Sequence, residues 1–291
     1  MTSVAKNAAV LRYDAQMSAP TGYTVSVSPS SLSLNRGQSA TFKVTITNVS
    51  APVDEWRFGS LTWKERGGNY LVRSPIAVKA SQFSAPDEVT GSGVSGSLSF
   101  PVQVGYTGAY TAAAHGLVPA TLTHANVKQD PDQTFVPRDT TAGGAIGHKV
   151  DLSNVGVFRM AIPPDAVDDA EADLDVYVYN PAGEQVASST LGGTDEEVTI
   201  QDPADGTWTV YVHGWQASGG DTNYTRYSWS VSNARGGNLT VDSASTSAIG
   251  EKDTIGLSWS GATDGQWHLG AVSHNEGSTL LGRTLVEVDN R

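Results

Sequence analysis

Apolar and polar residues alternate along most of this chain with a period of two. No long segment repeats apolar residues at i, i+3, i+4 and i+7. Gly, Pro, Asn and Asp punctuate the alternation, and Thr, Val, Trp and Tyr fill the strand positions, which predicts an all-β molecule of tandem antiparallel sandwiches. In a first block, residues 1–80, strands are expected near Tyr23–Ser28, Thr41–Asn48, Arg57–Trp63 and Tyr70–Val78. Within it Phe42, Val44 and Ile46 alternate with Thr and Lys, so one face is expected to be buried. Gly67-Gly68 supplies the turn before the last strand. A second block, residues 81–233, opens with a polar connector, Ser84–Gly96. Its strands are expected near Ser97–Tyr106, Val155–Ile162, Asp173–Asn180, Glu197–Gln201, Thr207–Trp215 and Tyr224–Ser232. Between them the Asp/Pro/Gly-rich stretch Lys128–Gly147 reads as a long mobile loop. A third block, residues 234–291, follows Arg235-Gly236-Gly237, with strands near Asn238–Ala244, Thr254–Ser260, Trp267–Ser273 and Arg283–Asp289. It is small for independent folding, so a small β domain or an appended sheet docked on the second block is expected.

Composition narrows the function classes. A formal charge of −12 on 291 residues speaks against nucleic acid or anionic membrane as partner, since both need a basic patch. With no cysteine there is no disulfide and no thiolate metal site. No apolar run approaches the roughly 18 residues of a membrane-spanning helix, so no membrane insertion is expected. The first residues lack the basic start, apolar stretch and small-residue cleavage site of a signal peptide.

Two segments carry family character. Residues 59–78 read GSLTWKERGGNYLVRSPIAV. Gly59, Leu61 and Trp63, then Val72, Arg73, Ser74, Pro75 and Ile76, resemble the closing hairpin of the fibronectin type III-like domain behind the catalytic domain of subtilisin-like serine proteases. Further on, Asp173, Leu174, Asp175, Tyr177, Pro181, Gly183, Gly206, Thr207, Tyr211, Val212 and Trp229 resemble the bacterial pre-peptidase C-terminal domain, a jelly-roll-like sandwich of secreted proteases. The resemblance implies a fibronectin- or immunoglobulin-like sandwich, then a jelly-roll-like one, then a β tail. It also implies an extracellular, bacterial setting and an upstream catalytic domain as partner. The opening strands of the first domain are not recognisable, so the chain is expected to begin inside that domain, leaving an unpaired edge.

Candidate chemistry is sparse, and no catalytic residue is assigned. Gly93-Val94-Ser95-Gly96 lacks the last glycine of a nucleophile elbow and no helix follows it. His115-Gly116 is not followed by the threonine that the subtilisin-like family places there. None of the six histidines forms a His-x-x-x-His pair, although His268 and His274 are placed to share a strand face. The acidic span is more suggestive, because no Lys or Arg stands between Arg159 and Arg226. Carboxylates without compensation suit a hard cation. Asp168, Asp169, Asp173 and Asp175 are therefore the candidate ligands for calcium, and no other cofactor is expected; the alternative is a solvated acidic face. The same alternation puts Tyr177 and Tyr179 on one side of their strand and Tyr211, His213 and Trp215 on one side of theirs. If these strands are neighbours, they form an aromatic patch beside carboxylates, suited to a glycan or an extended polypeptide. The alternative is that another block covers it.

Three readings follow. The chain is a non-catalytic accessory region of a secreted subtilisin-like protease, which stabilises or localises the enzyme and holds substrate or surface polymer. It is a stand-alone glycan- or matrix-binding module. Or it is an orphan fragment of a disrupted protease gene, a reading compatible with the first.

Overall fold

The computed structural model describes residues 1–6, 10–137, 144–249 and 251–291. The described residues are almost entirely β, with a single 3₁₀ turn at Pro164–Ala166. None of their helices is long and apolar enough to cross a membrane. The chain divides into two compact units, residues 1–84 with 104–106, and residues 85–103 with 107–291.

The first unit contains β1 (Leu11–Ser18), β2 (Tyr23–Ser28), β3 (Ser31–Leu34), β4 (Lys43–Asn48), β5 (Trp56–Glu65), β6 (Leu71–Lys79) and β7 (Phe83–Ser84). Strands β3-β1-β5-β6 form one antiparallel sheet, and β2 pairs with β4. Leu11, Tyr13, Leu34, Leu61 and Trp63 form the core, with Val27 and Val44 of the smaller sheet and Phe42, just before β4, packed against it. Phe42 meets Trp63 edge-on at 5.0 Å. Ile46, expected on the buried face, is 37% exposed and is not among the residues that pack on this core. Strands β5 and β6 form the hairpin expected from the motif, with Gly59 opposite Ile76 and Trp63 opposite Val72. Glu65 fixes its turn by accepting bonds from the Gly67 and Asn69 amides at 2.7 and 3.0 Å. These bonds hold its carboxyl below the ordinary range. Strand β1, not anticipated, is an interior strand with β3 on one side and β5 on the other.

The second unit contains β8 (Glu88–Gly91), β9 (Ser95–Val104), β10 (Gly108–Ala109), β11 (Thr111–Pro119), β12 (Thr121–Lys128), β13 (Ala145–Leu152), β14 (Val155–Ile162), β15 (Asp173–Tyr179), β16 (Gln185–Ser189), β17 (Glu196–Gln201), β18 (Gly206–Gln216), β19 (Asp221–Ser232), β20 (Leu239–Asp242), β21 (Thr246–Ser247), β22 (Lys252–Ser260), β23 (Trp267–Glu276) and β24 (Thr279–Asp289). Its sheets stack in layers. The outer sheet β13-β18-β15-β16 packs on β12-β19-β14-β17. Leu174, Val176 and Val178 of β15 and Trp208, Val210 and Val212 of β18 meet Phe158, Met160 and Ile162 of β14 in a shared core. The opposite face of that second sheet carries Val157, Ala161, Trp229 and Val231, which pack on Trp267, Leu269, Ala271 and Leu285 of β23 and β24. Strand β14 is therefore buried on both faces, and every one of its residues is buried.

This layering revises the three-block organisation. Strand β9 pairs with β22, β11 with β23, and β8 runs parallel to β24. Strands from either side of the pre-peptidase-like sandwich thus interleave, and residues 234–291 share their sheets with residues 88–119 instead of forming a separate block. The supposed connector Ser84–Gly96 contributes β8 as a sheet strand. Of the expected loop Lys128–Gly147, Ala145–Gly147 belong to β13 and residues 138–143 lie outside the described residues.

Candidate functional site

Strands β15 and β18 are neighbours, with Asp175 opposite His213, Tyr177 opposite Tyr211 and Tyr179 opposite Thr209. Because their even-numbered residues fill the core, Asp175, Tyr177, Tyr179, Tyr211 and His213 gather on the other face of the sheet. Tyr179 and Tyr211 pack edge-on at 5.5 Å. Gly147 on β13 makes room for this arrangement, since a Cβ there would stand 2.9 Å from the Tyr211 ring. Trp215, on the same side of β18 but near its end, is 36% exposed and makes no ring contact with these tyrosines among the described contacts.

The face is covered from within the second unit. Residues 130–136 cross it as a strap. Phe135 lies flat on Tyr177, with centroids 3.9 Å apart and planes at 3°, and also contacts Tyr179, Tyr211 and His213. Asp130 shapes the strap by accepting bonds from the Asp132 and Thr134 amides at 3.0 and 3.2 Å. It also meets His213 Nε2 at 2.9 Å, while Asp175 meets Nδ1 of the same imidazole at 3.2 Å. His213 is 1% exposed. Burial alone lowers its pKa, but two flanking carboxylates more than offset that, so it is raised and the ring carries its proton more readily. The Tyr177 hydroxyl donates to Asp175 at 3.2 Å, and burial together with that negative charge pushes its pKa up to about 12.

The four candidate calcium ligands do not converge on one centre. Asp168 accepts from the Asn223 side chain, Asp169 from the Ser218 amide and hydroxyl, and Asp173 from the Gly193 amide, while Asp175 serves Tyr177 and His213. Among the described residues no group of three or more His, Asp or Glu is placed to hold a metal ion. The physical reason is that protein donors satisfy these carboxylates one by one. Glu196, not singled out from the sequence, is buried beside the same strand. Burial, then the charges of Asp175, Asp173 and Asp195, push its carboxyl up to about 7.

The histidines have structural partners. His268 Nε2 accepts from the Thr263 amide at 3.2 Å, and His274 lies between the Tyr110 and Thr284 hydroxyls at 2.6 and 3.0 Å. His115 Nε2 meets Ser273 Oγ at 2.9 Å, a serine–histidine contact that sequence spacing could not show. Its Nδ1 faces the Ala234 carbonyl at 3.2 Å where a triad needs a carboxylate, and both side chains are buried.

Residues 1–78 match the model of a fibronectin type-III domain, and residues 140–214 that of the bacterial pre-peptidase C-terminal domain. Subtilisin-like protease SBT3 of Solanum lycopersicum is 39% identical over 77 residues, 26% of this chain and 10% of that protein. A subtilisin-like protease of Glycine max is 39% identical over 69 residues, 23% of this chain and 8% of its own length. The chain thus spans a tenth or less of these relatives, which are plant proteins. Among solved structures, tripeptidyl peptidase 2 aligns over all of this chain and 26% of its own, at 8% identity and a TM-score of 0.30. The fibronectin type-III match over residues 1–78 and the pre-peptidase C-terminal match over residues 140–214 together fit the C-terminal region of subtilisin-like proteases.

Proposed function

We propose that this chain is a non-catalytic accessory region of a secreted subtilisin-like serine protease, which stabilises or localises an upstream catalytic domain. The observation that carries the reading is the pairing, in one chain, of a fibronectin type-III domain with a pre-peptidase C-terminal domain. The chemistry of the interior agrees with it. The serine and histidine within hydrogen-bond distance, Ser273 and His115, lack a carboxylate orienter and access to solvent. A fluorophosphonate probe, which labels activated serines, tests this directly. The purified chain should remain unlabelled. Labelling of any serine, Ser273 first among them, contradicts the reading.

A second reading, a module that binds glycan or extended polypeptide, draws on the aromatic face of β15 and β18. It is compatible with the first, because an accessory region that holds a polymer also localises its enzyme.

A further inference from the structure

We propose that the aromatic face of β15 and β18 is a binding track for extended polypeptide bearing an aromatic side chain, and that Phe135 of the strap is a built-in occupant which such a segment displaces. The proposal rests on reading this face as a binding surface, and it names the ligand class and the device that regulates access.

The present occupant identifies the ligand. The slot over Tyr177 holds a phenylalanine ring, face to face at 3.9 Å and 3°. Tyr211 and His213 tilt toward the same ring at 5.5 and 5.7 Å, so three walls of the slot are aromatic. That ring is carried on a non-helical, non-strand segment, Thr134–Val136, whose flanking residues are exposed. What the site holds, then, is an aromatic residue on an open stretch of polypeptide.

The space beside the slot continues in both directions along the sheet. On one side a cavity of about 310 Å³ lies between the strap and the sheet, reached by Asp130, Thr134, Val136 and His213. On the other a cleft of about 230 Å³ runs from Tyr179 and Tyr211 to Lys149 and Pro181. A bound segment needs room for the residues before and after its anchoring ring, and these two spaces provide it.

The strap is held in a way that permits exchange. Its internal shape comes from Asp130, which bonds its own following amides, so that turn survives when the tip moves. At its base the strap is anchored by Asp130 on His213; at the tip the Gln133 side chain donates to the Trp215 carbonyl at 3.2 Å and the Phe135 ring stacks on Tyr177. An incoming aromatic ring restores the same stacking, so little is lost on exchange. Affinity for an outside segment is reduced by the fraction of molecules in which the strap occupies the slot.

The test uses the whole chain and the strap's own sequence as probe. The blocked tetrapeptide acetyl-Thr-Phe-Val-Pro-amide is titrated while the ring resonances of Tyr177 and Tyr211 are followed by NMR. Phe135→Ala should bind it saturably, at least tenfold more tightly than the unmodified chain, and should ignore the analogue with Ala for Phe. Gln133→Ala, which leaves every ring in place, should also tighten binding several-fold; it serves if Phe135→Ala fails to fold. A folded Phe135→Ala without saturable shifts at these tyrosines overturns the proposal, as does equal binding by the unmodified and both variant chains. Preferential saturable binding of chitohexaose, titrated as a glycan probe, overturns the polypeptide assignment while leaving the face a binding surface.

Discussion

Arg159 is buried on β14 among three carboxylates. Glu88 chelates its guanidinium at 2.6 and 3.0 Å, while Glu197 and Glu287 approach at 3.3 Å. Three negative charges around one positive charge leave an excess that burial makes costly. Burial, with the neighbouring Glu88 charge, pushes Glu287 up to about 7. Glu196, elsewhere in the unit, is raised to about 7 as well. A carboxyl whose pKa is raised on folding binds more protons in the native state. Its contribution is therefore complete below about pH 4.5 and is lost as pH climbs through about 7. His148 and His274, both held neutral by burial with pKa values near 4, contribute the opposite sign and add stability as pH rises from about 4 to 6.5. Between about pH 4.5 and 6.5 the two pairs oppose each other; above that window the carboxyl contribution is still being lost, together with that of His213, whose pKa is raised. The double variant Glu196→Gln with Glu287→Gln should accordingly lose less of its melting temperature between pH 6.5 and 8 than the unmodified chain. Equal losses in calorimetry refute the assignment.

Arg226 presents the converse case. It is 4% exposed, it donates to Thr123 Oγ1 at 3.1 Å, and its Nε and Nη1 have no hydrogen-bond partner among the described residues. A buried guanidinium without a carboxylate keeps its desolvation penalty, and burial lowers its pKa. Arg226→Met, which fills similar space without charge, should stabilise the chain by about 1–3 kcal/mol in denaturant unfolding. A destabilised variant means that the charge is compensated in solution.

At the scale of elements, β14 is the strand on which the second unit depends. Phe158, Met160 and Ile162 enter one core, and Val157 and Ala161 the other. Phe158→Ala should cost about 3–5 kcal/mol, as large-to-small changes in cores do, while Ser230→Ala, directly opposite on β19 and exposed, should change stability by less than about 0.5 kcal/mol. Similar effects in the two variants are incompatible with the layering. The sequence made β15, β18 and β19 legible because alternation of core and outer residues writes a period of two, and β14 because a strand buried on both faces reads as a short, nearly continuous apolar run. It also placed the tyrosines on their shared face, since Leu174, Val176 and Val178 fix which side of β15 is core. It did not reveal β11 and β12, because Ala112–Ala114 lack the bulk that marks a buried stripe and the alternation of Thr121–Lys128 is largely between polar residues. Nor did it reveal the strap. Phe135 is an isolated apolar residue in an Asp- and Pro-rich stretch, and only the tertiary structure shows that it lands on Tyr177.

At the scale of the whole molecule, pairing between distant segments sets the organisation. Strands 88–119 and 239–289 close their sheets with one another, while the pre-peptidase-like sandwich intervenes in sequence. Local patterning carries no information about such pairing, which is why the C-terminal strands read as a tail. Deleting residues 238–291 should therefore expose Val157, Trp229 and Val231, raise binding of a hydrophobic dye and abolish the cooperative unfolding of the second unit. A truncated chain that keeps one sharp transition without added dye binding contradicts this. The functional account turns on a different link, that between this chain and a catalytic domain. The gene sequence immediately upstream of the Met1 codon tests it most directly. The account predicts an in-frame segment encoding a subtilisin-like catalytic domain; an in-frame stop codon directly upstream, with no such domain beyond it in frame, contradicts it.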